Sequence, residues 1–121
     1  MMAMARVIVV DDVPESVRLI EMVLRADKHD VTIADTPEGG LELLTTFPVD
    51  LVIVDQNMPR MTGESMLERV GLLWPHTARL MLTADPRIKN EDSRPYPVMY
   101  KPFRLPELRA MVTKLTTTKR V

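Results

Sequence analysis

The sequence predicts an α/β fold: a βα unit repeated five times, its strands in one doubly wound parallel sheet with helices on both sides. Three observations carry this. Short apolar runs of strand length alternate with helix-period stretches. The run Leu51-Val52-Ile53-Val54 is continuously apolar, as a strand covered on both faces should be. Two such runs stop abruptly on acids, Val7-Ile8-Val9-Val10 at Asp11-Asp12 and the 51–54 run at Asp55. Open α/β sheets keep their ligands at the carboxyl ends of their strands.

In chain order, residues 6–10 read as the first strand. Pro14, in a first turn after Asp12, opens the first helix. Residues 30–34 form the second strand, and Thr36-Pro37 pairs an N-cap with proline at the first helical position. Residues 50–54 form the third strand. The helix after it buries Met66, Val70 and Leu73, spaced at one face. Residues 78–83 form the fourth strand, and Asp85-Pro86 repeats the cap-and-proline signal. The stretch 85–97 is the weakest of the chain. It holds Pro86, Pro95 and Pro97 with polar residues between them and Ile88 as its one clear core residue. A helix there reaches two turns at most, so the fourth helix is short or degenerate. Residues 97–100 form the fifth strand. The last helix is marked by Leu108, Met111, Val112 and Leu115 at i, i+3, i+4 and i+7. We expect one domain over 1–121, with 116–121 as a candidate linker start.

The 121 residues suffice for one domain with a core, and 45% apolar with 27% charged residues is an ordinary globular balance. A net charge of −1 gives no electrostatic case for nucleic acid or an anionic membrane. The absence of cysteine removes disulfides, thiolate chemistry and Cys-ligated zinc. The ten methionines are scattered and read as core filler. The first six residues are too short for a signal peptide and no apolar run spans a membrane, so the expected location is the cytoplasm.

Each strand end supplies a polar group: Asp11 and Asp12, Asp55, Thr83 and Lys101. Taken singly, Asp11-Asp12 could cap a helix, Asp55 could sit in a turn, Thr83 could be a strand-end hydroxyl and Lys101 a surface lysine. Their joint occurrence, in this order and at these strand ends, points to a site. Clustered carboxylates repel unless a cation binds. Mg²⁺ suits hard oxygen ligands, few of them from protein. A hydroxyl and an ammonium beside them could hold phosphoryl oxygens, so the set looks built for phosphoryl transfer to an aspartate.

Over essentially its full length the chain resembles the receiver domain of bacterial two-component response regulators. The matching motifs are Val9-Val10-Asp11-Asp12, Asp55-Gln56-Asn57-Met58-Pro59-Arg60-Met61-Thr62-Gly63, Leu82-Thr83-Ala84 and Lys101-Pro102-Phe103. The resemblance implies a flavodoxin-like sheet of order 2-1-3-4-5. It implies Asp55 as phosphoacceptor from a sensor histidine kinase or phosphotransfer protein. Asp12 and Asp55 would ligate Mg²⁺ directly with the backbone carbonyl of Asn57, and Asp11 would act through water. Thr83 would bind phosphoryl oxygens, and Lys101 would pair with the phosphoryl group across a cis Lys101–Pro102 bond. Asn57 and Asp85 hold positions that tune dephosphorylation. Such a domain is a switch rather than an enzyme, with Mg²⁺-dependent self-phosphorylation from small phosphodonors and self-dephosphorylation.

One departure stands out. Three positions before the lysine the family usually carries an aromatic residue, and this chain has Val98. The segment between Thr83 and Lys101 is also shorter than usual. We therefore expect intact chemistry with an unusual output surface, low-cost local opening of 84–97, and weak or absent dimerisation there. Two rivals remain: a Mg²⁺-dependent phosphohydrolase of the haloacid dehalogenase type, and a pseudo-receiver that binds partners without phosphate. The former places its nucleophile on the first strand in an Asp-x-Asp motif, an order this chain does not follow.

Overall fold

The computed structural model describes residues 5–89 and 94–118. Five strands are β1 (Arg6–Val10), β2 (Asp30–Ala34), β3 (Leu51–Asp55), β4 (Ala78–Thr83) and β5 (Val98–Tyr100). They form one sheet in the order β2-β1-β3-β4-β5, with every pair parallel. The helices are α1 (Pro14–Ala26), α2 (Pro37–Thr46), α3 (Gly63–Leu73) and α4 (Leu105–Thr118). This is the expected order, with four helices among the described residues rather than five.

Alternation along the strands splits the core in two. Val7 and Val9 of β1 and Leu51 and Ile53 of β3 face Ile20 and Leu24 of α1 and Leu108 and Val112 of α4. Ile8, Val10, Val52 and Val54 point the other way, into the layer of α2 and α3 with Leu44, Met66, Leu67 and Val70. Burial on both faces is why these strands carry almost no polar residue before their last position.

Thr36 caps α2 as predicted, its hydroxyl accepting from the Gly39 amide at 3.0 Å, with Pro37 at the first turn. α1 opens at Pro14 after Val13, which gives no side-chain cap. α4 runs through Thr118, and the buried Thr116 donates its hydroxyl to the Val112 carbonyl at 2.8 Å. Residues 116–118 thus complete a helix, and only 119–121 of the suggested linker lie outside the described residues.

Three expectations need correction. β3 extends to Asp55 itself. Asp50 precedes the strand and its carboxylate accepts the Arg6 amide at 2.8 Å. In α3, Met66 and Val70 are buried but Leu73 is 64% exposed. It is the last helical residue, and Leu67 and the half-buried Trp74 take the core positions instead. Asp85-Pro86 starts no helix among the described residues, where 84–89 and 94–97 form turns and bends. The Asp85 carboxylate accepts from the Arg87 amide at 2.9 Å, a short-range turn that competes with helix initiation. The rest of that expected helix, 90–93, lies outside the described residues.

Between α3 and β4 the packing depends on a missing side chain. Arg79 of β4 lies under α3 and donates from Nη1 to the Leu67 carbonyl at 3.0 Å. A Cβ on Gly71 would collide with that guanidinium, so glycine leaves the slot in which Arg79 lies.

Candidate functional site

β1 and β3 are neighbours, so Asp11 and Asp12, just past β1, meet Asp55, the last residue of β3, at one end of the sheet. One carboxylate oxygen from each lies within 4.8 Å of the others. Asp11 and Asp55 are buried and Asp12 is exposed. Lys101, just beyond β5, reaches across to this cluster. Its Nζ is 3.2 Å from Asp11 Oδ2 and 3.6 Å from Asp55 Oδ1. The Lys101–Pro102 peptide is cis, as expected. The other oxygen of Asp11 accepts the Val13 amide at 2.9 Å, so Asp11 orders the turn before α1 without capping the helix.

Burial pushes the Asp55 carboxyl above its ordinary value, countered by the Lys101 charge and reinforced by the nearby Asp11. Three carboxylates against one ammonium leave an excess of negative charge, and the donor set is all hard oxygen. These residues fit a small divalent cation, with the exposed Asp12 side open to water.

Thr83 ends β4 and is fully buried, and its Oγ1 accepts the Asp85 amide at 3.0 Å. The hydroxyl proton can therefore be directed elsewhere. Asn57 is exposed two residues past β3. The Asp85 carboxylate is gripped by Arg87, with Nε at 3.0 Å and Nη2 at 2.8 Å. The Arg87 side chain and amide, with a smaller part from Asn57, hold that carboxyl down to about 2. Asn57 and Asp85, twenty-eight positions apart in sequence order, thus meet beside the site.

Sequence reasoning missed Gln56. Its side chain is buried and its Oε1 accepts the Glu64 amide at 2.8 Å, while its carbonyl accepts the Gly63 amide at 3.0 Å. Thr62 caps the next amide, that of Ser65, at 3.1 Å. A Cβ on Gly63 would sit 2.5 Å from the Asp55 carbonyl oxygen, so only glycine lets α3 start against the phosphoacceptor candidate. Thr62 carried a readable capping signal, but Gln56 had none, because its partner is fixed only by the fold.

Residues 7–113 match the response regulator receiver domain family. The sensor histidine kinase TmoS of Ectopseudomonas mendocina is 32% identical over 94% of this chain, which spans 12% of that protein's length. The cell cycle transcriptional regulator CtrA of Caulobacter vibrioides is 26% identical over 88% of this chain and 48% of its own length. Among solved structures, the Thermotoga maritima response regulator TrrA, in complex with Mg(2+)-BeF, superposes with a TM-score of 0.83 at 27% identity. That match covers 93% of this chain and 99% of TrrA. The signal receiver domain of an HD domain-containing protein from Pseudomonas fluorescens Pf-5 gives 0.88 at 25% identity, covering 98% of each chain. With the fold, the acid cluster and the lysine in hand, the chain belongs to the response regulator receiver domain family, the switch module of two-component signalling.

Proposed function

We propose that Asp55 is the phosphoacceptor and that the donor is a phosphohistidine on a sensor kinase or phosphotransfer protein. The observation that carries this is the convergence of Asp11, Asp12, Asp55 and Lys101 at one end of the sheet. Mg²⁺ would be held by Asp12, Asp55 and the Asn57 carbonyl, with Asp11 acting through water. When bound it would neutralise charge between carboxylate and phosphoryl oxygens. The Mg(2+)-BeF complex of TrrA supports the same assignment here.

An Asp55 oxygen attacks phosphorus and forms the P–O bond. The P–N bond breaks and its electron pair stays on the imidazole nitrogen, which takes up a proton. Lys101 exchanges its carboxylate contacts for phosphoryl oxygens, and Thr83 turns its hydroxyl proton toward them. Hydrolysis by water returns the carboxylate and releases inorganic phosphate. Asn57 and Asp85, at the rim, set how easily that water enters. The 121 residues act as one receiver unit in the cytoplasm. No helix among the described residues is long and apolar enough to cross a membrane. The output partner and the whole protein's activity lie with whatever this unit is joined to or meets.

Incubation with Mg²⁺ and acetyl phosphate, followed by intact mass, tests the reading. We expect one phosphoryl adduct that requires Mg²⁺ and is absent from Asp55→Asn. Donor turnover without an adduct would favour a phosphohydrolase, and no reaction at all a phosphate-independent pseudo-receiver.

A further inference from the structure

The β4–β5 connection is held at its two ends by different means. At its start, the Asp85 amide donates to the Thr83 hydroxyl at 3.0 Å. Toward its end, Arg94 joins it to α3. Arg94 Nη1 donates to Glu64 Oε2 at 2.9 Å and to the Tyr96 hydroxyl at 3.2 Å, and Nε donates to the Lys89 carbonyl at 2.9 Å. The Tyr96 ring is buried with two guanidinium groups against it, Arg79 at 5.4 Å and Arg94 at 5.6 Å from its centroid. The Arg94 side chain is 16% exposed and the Glu64 side chain 43%, so the pair is open to solvent on its acid side and can be separated at modest cost.

Glu64 is not an arbitrary anchor. Its amide is bound by the Gln56 side chain, and the preceding Gly63 is in contact with the Asp55 carbonyl. The first turn of α3 therefore moves with the Asp55–Gln56 peptide. A continuous path runs from Asp55 through Gln56 and Glu64 to Arg94 and Tyr96. The strand position where an aromatic could report the movement of Thr83 holds Val98, buried and small.

We propose that the Glu64–Arg94 pair is a latch that holds the β4–β5 connection to α3 while Asp55 is unmodified and gives way when Asp55 carries a phosphoryl group. The inference rests on the phosphoacceptor reading above. When the Thr83 side chain swings to the phosphoryl oxygens, its hydroxyl oxygen is drawn away from the Asp85 amide and the start of the connection shifts. The far end stays tied to a helix that is itself fixed to Asp55. Of the contacts at the two ends, the ion pair is the more exposed and the more separable, so it is the one that gives way. Coupling between sites is reciprocal. Breaking the latch must therefore favour the phosphorylated arrangement.

The test is the affinity of the full chain for beryllofluoride with Mg²⁺, a phosphoryl mimic, by calorimetry. Wild type is compared with Glu64→Gln, Arg94→Gln, the double variant and Arg94→Lys. Each Gln variant should bind about fivefold tighter or more, the low end of usual site-to-site coupling. The double should match either single, since both remove one interaction. Arg94→Lys keeps the charge but loses the planar fork and should fall between. Without ligand, amide exchange over 84–89 should quicken in the Gln variants to the level of liganded wild type. Faster exchange with unchanged affinity would mean a structural brace and overturn the latch, as would additive effects in the double. If wild type itself fails to bind, the phosphoacceptor reading falls and the latch with it; normal wild-type binding with wild-type affinity in all variants removes the latch alone.

Discussion

The carboxyl end of the sheet and the β4–β5 connection lie side by side but are built by opposite means. The acid cluster sits at the ends of strands whose apolar residues are packed on both faces, so β1 and β3 carry Asp11 and Asp55 to the site, and the bonds of Asp11 to the Val13 amide and Lys101 add to that placement. The connection buries Ile88 and Tyr96, and otherwise depends on polar contacts: Asp85 to Arg87, Arg94 to Glu64, and the Tyr100 hydroxyl of β5 to the Ile88 carbonyl at 2.7 Å. A receiver needs a rigid place for chemistry and a yielding place for output. Here apolar packing holds the acid cluster, and separable polar contacts hold the connection beside it.

The largest effect should come from Asp55→Asn, which removes phosphorylation altogether in the acetyl phosphate assay. The same change should make the protein more stable at neutral pH. The folded carboxyl titrates above its ordinary 3.8, so the folded state binds its proton more tightly than the unfolded one. Stability is then full at low pH and falls as pH rises through the folded value. Urea melts of the two proteins should converge below about pH 4 and separate above it; a less stable Asn variant at pH 7 would contradict the burial argument.

Next in size is a direct contrast between the regions. Ile53→Ala, in a fully packed strand, should cost about 2–5 kcal/mol in chemical denaturation. Tyr96→Phe, which removes one hydroxyl contact in the connection, should cost about 0.5–1.5 kcal/mol. Comparable losses would mean that the connection is part of the rigid core.

Asp85 gives the opposite sign to Asp55. Its carboxyl is held at about 2, well below 3.8, chiefly by Arg87. It therefore contributes stability above the ordinary carboxylate range, and that contribution is lost as pH falls toward 2. Asp85→Asn should lower stability at pH 7 and flatten the acid limb between about pH 4 and 2. Arg87 is 84% exposed, so the effect is modest. The smallest effect should be that of salt. At about 1 M, where the Debye length is near 3 Å, exchange over 84–89 should quicken slightly while β1 and β3 stay protected.

The strands and the site were legible because both are written in local pattern. Continuous apolar runs ending on Asp11, Asp12 and Asp55 identify buried parallel strands and their tips without any knowledge of pairing. The last helix was readable from Leu108, Met111, Val112 and Leu115, of which Leu108 and Val112 are buried. The β4–β5 connection was not readable. Asp85-Pro86 has the composition of a helix start, but Arg87 claims the carboxylate. Glu64 and Arg94 are 30 residues apart, and nothing in either neighbourhood signals the pairing. Leu73 misled because periodicity does not say where a helix outruns the layer it covers.

The slot between Gly71 and Arg79 makes the two positions depend on each other. Glycine within a helix is ordinarily improved by alanine, by about 1 kcal/mol. Here that step drives a methyl into a guanidinium that is also stacked on Tyr96 and bonded to the Leu67 carbonyl. Alanine at 71 obliges the Arg79 guanidinium to swing aside and give up its bond to the Leu67 carbonyl and its place on the Tyr96 ring. The gain that alanine ordinarily brings is thus offset at the neighbouring strand, and the two positions are energetically coupled.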